Sequence, residues 1–74
     1  MNTQHLTKMV NEIAAFFRGE SGPEKAIGEV ATHLNRYWDP RMRREIVAHY
    51  AKGGDGLSDI SLKAVAELAR LAHQ

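Results

Sequence analysis

The chain has 74 residues, a formal net charge of +1 and no cysteine. This length allows one small domain, whose core is marginal unless its packing is very regular or a partner supplies additional surface. The lack of cysteine excludes disulfides, thiolate metal sites, iron–sulfur ligation by this chain and cysteine nucleophiles, and the near-neutral charge gives no general signal for binding a polyanion.

Breaks rich in glycine and proline divide the chain into four helix-length segments. No segment alternates apolar and polar residues over the length of a strand. The sequence therefore predicts an all-α fold, a small bundle of four short helices, as a single domain over residues 1–74. The predicted helices cover about residues 3–18, 22–38, 40–52 and 59–72.

The first predicted helix carries an apolar stripe from Leu6 to Phe17 at helical spacing. We expect Gly19 to end this helix, because glycine tolerates the left-handed conformation that commonly follows a helix. The second predicted helix then begins with Ser21 and Glu24, which have the spacing of a capping box in which each side chain satisfies a free backbone N–H.

Gly28 lies inside the second predicted helix, where glycine costs about 1 kcal/mol relative to alanine. We expect a close helix crossing at this position as compensation, since glycine lets two backbones approach each other. An apolar stripe from Ile27 to Trp38 forms the rest of the buried face of this helix.

The segment from Arg36 to Arg44, which reads RYWDPRMRR, is the most informative part of the chain, with the only tryptophan and four of the six arginines. Asp39 and Pro40 predict the N-cap and first position of the third helix. Because Trp, Tyr and Arg dominate interface hot spots, the segment predicts a docking surface at a helix–helix corner. The candidate partner-binding residues are Arg36, Tyr37, Trp38, Asp39, Arg41, Met42, Arg43, Arg44 and His49.

Three other interpretations of this corner remain open. The arginines could form a solvated helix face, and the helix after Pro40 could be the recognition helix of a small DNA-binding regulator. The corner could also form a symmetric dimer between two copies of the chain. For Trp38, simple core packing is as well supported as docking, because this residue continues the apolar stripe of the second helix.

The glycine-rich segment Gly53–Gly56 resembles a phosphate-binding loop only superficially, since it follows a helix and no Gly-Lys-Ser/Thr comes after it. We interpret it as a helix C-terminus and a turn. Ser58 is then the expected N-cap of the fourth helix, and Leu57 and Leu62 have the spacing of a hydrophobic staple across that cap.

The sequence contains no recognisable catalytic or metal-binding pattern. The four histidines lack the i, i+4 spacing of a helical metal-binding pair, and we interpret them as isolated surface or boundary residues: His5, His33, His49 and His73. The best alternative role is a polar contact of His49 at a subunit interface. The serines are explained by helix capping, so we expect no enzyme activity from this chain itself.

No apolar run approaches the length needed to span a bilayer. The first eight residues are polar and lack the apolar stretch of a signal peptide. We therefore expect a cytoplasmic protein without membrane contact.

Four sequence segments carry a family resemblance: Met9–Phe17, Tyr37–Arg43, His49–Tyr50 and Gly53–Leu57. Together they resemble the delta subunit of soluble NAD-dependent, molybdenum-containing formate dehydrogenases, over nearly the whole chain from about residue 6 to residue 71. The most specific of the four is the second, through its run WDPRMR, followed by an aliphatic helix and a Gly-Gly loop.

The resemblance implies a non-catalytic accessory subunit. In that family, formate is oxidised to carbon dioxide at a molybdenum–pterin guanine dinucleotide centre in the large alpha subunit. Electrons then pass through iron–sulfur clusters to FMN and NAD in the beta and gamma subunits. The resemblance implies that the delta chain binds none of these cofactors and supports assembly, stability or cofactor retention of the complex. We hypothesise that its arginines pair with carboxylates or carbonyls of the alpha subunit, while Trp38, Tyr37 and Met42 fill an apolar notch there.

Overall fold

The computed structural model describes residues 2–72 and contains four helices, which are α1 (Thr3–Ser21), α2 (Pro23–Tyr37), α3 (Pro40–Ala51) and α4 (Asp59–Ala72). Residues 2–72 form no strand. The all-α class predicted from the helical periodicity is therefore confirmed.

The core lies where the apolar stripes of the four helices meet. α2 is the central element, because it packs extensively against both α1 and α4, whereas α3 makes smaller contacts with α4 and α1. Each large aliphatic side chain that is fully buried stabilises the fold by about 1.5–3 kcal/mol relative to an exposed one. The fully buried aliphatic side chains come from every helix: Leu6, Val10, Val30, Leu34, Ile46, Val65 and Leu68.

The first helix ends later than the sequence predicted. Gly19 is helical, and α1 continues to Ser21. The residue with the positive φ angle is Gly22, at 85°, and its backbone N–H donates to the carbonyl of Arg18. The expectation that Gly19 ends the helix was wrong because Gly22, followed by a proline, supplies a stronger termination three residues later.

The capping box predicted for α2 is also wrong. Ser21 lies within α1, and the N-cap of α2 is Gly22, which has no side chain that could cap the helix. Pro23 occupies the start of α2, where its missing N–H costs nothing. Gly22 is both the C-cap of α1 and the N-cap of α2. No separate position is therefore left for a serine that caps α2.

The close helix crossing expected at Gly28 is absent from this chain. Gly28 is exposed, and no atom lies within 4 Å of the position that a Cβ would occupy. The intrinsic cost of this helical glycine is therefore not offset by packing within the described chain.

The loop between α3 and α4 is anchored to two helices. The side-chain amide of Asn11 donates to the carbonyl of Gly56 and its oxygen accepts from the N–H of Ser58, both at 2.9 Å. On the other side, Nε2 of His49 lies 2.7 Å from the carbonyl oxygen of Asp55. The loop therefore has a defined conformation set by α1 and α3.

The start of α4 follows the sequence prediction. The hydroxyl of Ser58 accepts from the N–H of Ser61 at 3.3 Å, which is the expected N-cap contact. Leu57 is buried in the core cluster, and the partly buried Leu62 packs against that cluster. The predicted turn at the glycine segment, its serine cap and the flanking leucines are all confirmed.

Candidate functional site

The corner between α2 and α3 is built by two residues, Trp38 and Asp39. Trp38 is the C-cap of α2, and its N–H donates to the carbonyl of Leu34 at 3.1 Å. The carboxylate of Asp39 accepts from the N–H of Met42 at 2.9 Å, and Pro40 is the first residue of α3. The predicted N-cap and start of α3 are confirmed. Arg36 therefore lies at the end of α2, and the other three arginines of the segment lie on the first turns of α3.

Trp38 lies inside the molecule. Its side chain is only 5% exposed and belongs to the core cluster. Met42 is half-buried and packs against the same cluster. The structure thus places Trp38 in the core, because its ring fills the space between this chain's own helices. Its contact with a partner stays a prediction.

Arg43 stabilises the corner from within. Its Nη1 donates to the carbonyl of Asn35 at 2.6 Å and to the carbonyl of Trp38 at 2.9 Å. These carbonyls lie at the C-terminus of α2, where a cation also interacts favourably with the helix dipole. Its guanidinium therefore closes the corner through Nη1, and its pairing with a partner's carboxylates stays a prediction.

We expect Arg43→Ala to lower the free energy of unfolding of the chain by about 1–2 kcal/mol, since two charge-assisted hydrogen bonds to helix-end carbonyls are lost. Arg41→Ala, on the same helix but without such bonds, should change the free energy by less than about 0.5 kcal/mol. Urea unfolding monitored by circular dichroism measures both values. Equal effects of the two substitutions would show that the Arg43 contacts contribute nothing to stability.

Three arginines of the segment remain directed to solvent. Arg36, Arg41 and Arg44 are exposed, and no group among residues 2–72 makes a hydrogen bond or an ion pair with their guanidinium groups. Arg70 differs from these three arginines because it has an internal partner. It donates to both carboxylate oxygens of Glu67 and thereby lowers the pKa of that carboxyl. The charges of the three exposed arginines are thus free to meet a partner.

An apolar groove of about 490 Å³ that was not predicted from the sequence has Arg43 and Arg44 at its lining. It lies between α3 and α4. The alanines of α3 were the feature of the sequence that could have predicted this groove, because small side chains on one face of a helix leave a concave surface. The apolar lining consists of Pro40, Val47, Ala48, Ala51, Leu68 and Ala72.

The three histidines within residues 2–72 have different surroundings. Nε2 of His49 contacts the loop carbonyl of Asp55 within this chain. A polar contact of His49 at a subunit interface stays a prediction. His33 packs between the rings of Phe17 and Tyr37, His5 is exposed, and His73 lies outside the described residues.

Residues 2–72 contain no group of three or more His, Cys, Asp and Glu side chains placed to hold a metal ion. In the same part of the chain, no helix has both the length and the apolar character needed to cross a membrane.

Comparison with known proteins identifies one family. The family model for the NADH-dependent formate dehydrogenase delta subunit, FdsD, matches residues 5–65, which include all of α2 and α3 and the whole arginine corner. No curated protein and no solved structure matches the chain. The match covers most of the chain and agrees with the resemblance carried by the run WDPRMR. The chain therefore belongs to the family of delta subunits of NADH-dependent formate dehydrogenases.

Proposed function

We propose that this chain is a non-catalytic accessory subunit, which docks on the large molybdenum-containing alpha subunit of a cytoplasmic formate dehydrogenase. The observation that carries the proposal is the family match over residues 5–65. In this proposal the molybdenum–pterin guanine dinucleotide, the iron–sulfur clusters, FMN and NAD are held by the alpha, beta and gamma subunits. This chain has no cysteine to offer a cluster.

The docking surface that the geometry favours consists of Arg36, Arg41 and Arg44 together with the α3–α4 groove, and we name it the Arg face. Guanidinium groups form paired hydrogen bonds with carboxylates, so exposed arginines suit an acidic stretch of the partner. The groove suits an apolar side chain beside that stretch. The concave surface thus lies on this chain and the protruding side chain on the partner.

Docking of this kind stabilises the enzyme by mass action. If the delta chain binds the folded, cofactor-loaded alpha subunit more tightly than the open form, its binding free energy adds to the stability of the loaded form. Assembly, stability and cofactor retention would then follow from one cause, the preference of the Arg face for one conformation of its partner.

We expect the double variant Arg41→Glu/Arg44→Glu to weaken retention of the chain in the complex by about tenfold or more, because two attractive charges become repulsive. Its melting temperature should stay close to that of the wild type, since neither side chain has a partner within residues 2–72. Arg18→Glu, an exposed arginine at the end of α1, is the matched control.

The measurement is co-purification with tagged alpha subunit after co-expression of all subunits, followed by metal analysis and a formate-to-NAD assay. Unchanged retention of the double variant would place the docking surface elsewhere. Failure of the wild-type chain to bind any subunit of the enzyme would refute the proposed function.

A second candidate function is a DNA-binding regulator, which the exposed Arg41 and Arg44 on α3 favour. It predicts binding to duplex DNA whose affinity falls steeply with salt, with a logarithmic slope of about −0.9 for each phosphate contacted. Titration of the isolated chain with a mixed-sequence duplex at two salt concentrations distinguishes the two functions, because an accessory subunit should show no such binding.

A further inference from the structure

The α3–α4 groove of the Arg face is an apolar surface that opens to solvent. Leu68 in its lining is buried, whereas Ala48, Ala51 and Ala72 are exposed. α3 makes smaller contacts with α4 and α1 than α2 does, so part of its apolar side has no cover among residues 2–72. Exposed apolar surface that is rimmed by polar residues is typical of interaction sites. The groove therefore marks a place where a partner can cover α3.

The charge of this groove is one-sided. Arg43 and Arg44 line it, and its lining residues include no aspartate or glutamate. Nη1 of Arg43 is engaged by the carbonyls at the end of α2, whereas Arg44 and the nearby Arg41 are exposed without an internal partner among residues 2–72. Electrostatic complementarity therefore requires carboxylates from the occupant of the groove.

This charge pattern disfavours a second copy of the chain as a symmetric partner. In a symmetric dimer the same patch of both copies forms the interface. A patch whose lining contains no carboxylate cannot supply one to its own copy, so each pair of exposed arginines would face either like charge or apolar side chains. The groove thus favours a different chain with acidic side chains.

The surroundings of the groove favour a helix as its occupant. Residues 2–72 form no strand, so this part of the chain offers no sheet edge to an extended segment. An extended segment on an apolar lining would leave its backbone N–H and C=O groups unpaired, whereas a helix pairs these groups internally.

The order of the lining residues on α3 sets the pattern of the occupant. Arg44, Val47, Ala48 and Ala51 lie along one side of α3 at helical spacing. From Arg44 to Ala51 the helix rises by about 10 Å, which corresponds to about two turns. The arginines are thus at one end of the groove, and the apolar lining of α3 extends from them over the following two turns.

We propose that the groove binds an amphipathic helix of another subunit, with apolar side chains at i, i+3 or i+4 spacing over two turns and an aspartate or glutamate about one turn beyond them. The apolar side chains cover Val47, Ala48 and Ala51, and the carboxylate pairs with Arg44 and Arg41. This inference rests on the proposed function and names the occupant of the same surface, since the helix belongs to a subunit of the formate dehydrogenase complex.

The first test is Ala48→Leu in the full chain, co-expressed with the other subunits. Leucine at residue 48 fills the groove, so we expect the chain to dissociate from the complex with a constant about tenfold higher than that of the wild type. Ala15→Leu, at an exposed alanine of α1, is the matched control and should bind like the wild type. Alanine and leucine have similar helix propensities, so both isolated chains should melt close to the wild-type temperature.

The second test identifies the occupant directly. The chain has no cysteine, so Ala51→Cys creates a single attachment point at the groove for a maleimide–benzophenone label. Illumination of the purified complex and mass spectrometry of the cross-linked peptide should give a segment of another subunit with the proposed spacing of apolar and acidic residues. The same label on Ala15→Cys should not give that segment.

Four results would overturn the inference. If Ala48→Leu binds like the wild type, the groove is not occupied, although the proposed function stands. If the cross-linked segment has no carboxylate or lacks helical apolar spacing, the occupant is of another kind. If the cross-link joins two copies of this chain, the groove is a self-association surface. If the wild-type chain binds no subunit of the complex, both proposals fail.

Discussion

Trp38→Ala is expected to leave the isolated chain largely unfolded. The ring is 5% exposed and packs in the core cluster, and truncation of a buried aromatic side chain costs about 3–5 kcal/mol. The total stability of small domains is about 5 kcal/mol or less when no disulfide or metal supports them. Thermal unfolding of the isolated chain, followed by circular dichroism, measures the effect.

Tyr37→Ala is the matched control for this prediction, because the neighbouring ring is 70% exposed. Its effect on the free energy of unfolding should stay within about 0.5 kcal/mol. Trp38→Phe should recover part of the lost stability, since it restores most of the apolar volume. If the Trp38→Ala chain melted at the wild-type temperature but no longer bound the other subunits of the enzyme, Trp38 would be a docking residue.

Gly54→Ala is expected to cost about 3 kcal/mol of unfolding free energy. Gly54 is buried with a φ angle of 66°, a conformation that costs a residue with a Cβ about 1–2 kcal/mol. The added Cβ would also overlap the side chain of Leu62 and approach Cδ1 of Leu57 to 3.3 Å. Both leucines form the staple at the start of α4, so their displacement adds the cost of overpacking.

Urea unfolding of the isolated chain measures this cost, and Gly19→Ala is the control with the opposite expected sign. Gly19 is helical and has open space around its Cβ position, so alanine there should raise the stability by about 1 kcal/mol at most. A stability of Gly54→Ala equal to that of the wild type would mean that the loop relaxes to a conformation that tolerates a side chain.

The structure divides the nine candidate partner-binding residues into two groups with different roles. One group builds the corner or the loop through burial, capping and internal hydrogen bonds: Trp38, Asp39, Met42, Arg43 and His49. The other group is exposed: Arg36, Tyr37, Arg41 and Arg44. We expect variants of the first group to change the stability of the chain, so variants of the second group test the docking surface more directly.

The sequence by itself determined the features that depend on neighbouring residues along the chain. Apolar periodicity located all four helices, and Asp39 and Ser58 marked two helix starts, because a cap needs only the backbone N–H groups of its own first turn. The run WDPRMR also identified the family, which the match over residues 5–65 confirms. The boundary at Gly22 was missed, because two adjacent termination signals compete and their local patterns are similar.

Only the tertiary structure decided which of these residues face inward and which face solvent. The burial of Trp38 and the bonds of Arg43 to the carbonyls of α2 depend on the angle at which α2 meets α3. The exposure of Gly28 depends on which face of α2 the other helices leave uncovered. These relations join residues through space, and helical periodicity specifies a stripe on each helix without specifying which other helix will cover it.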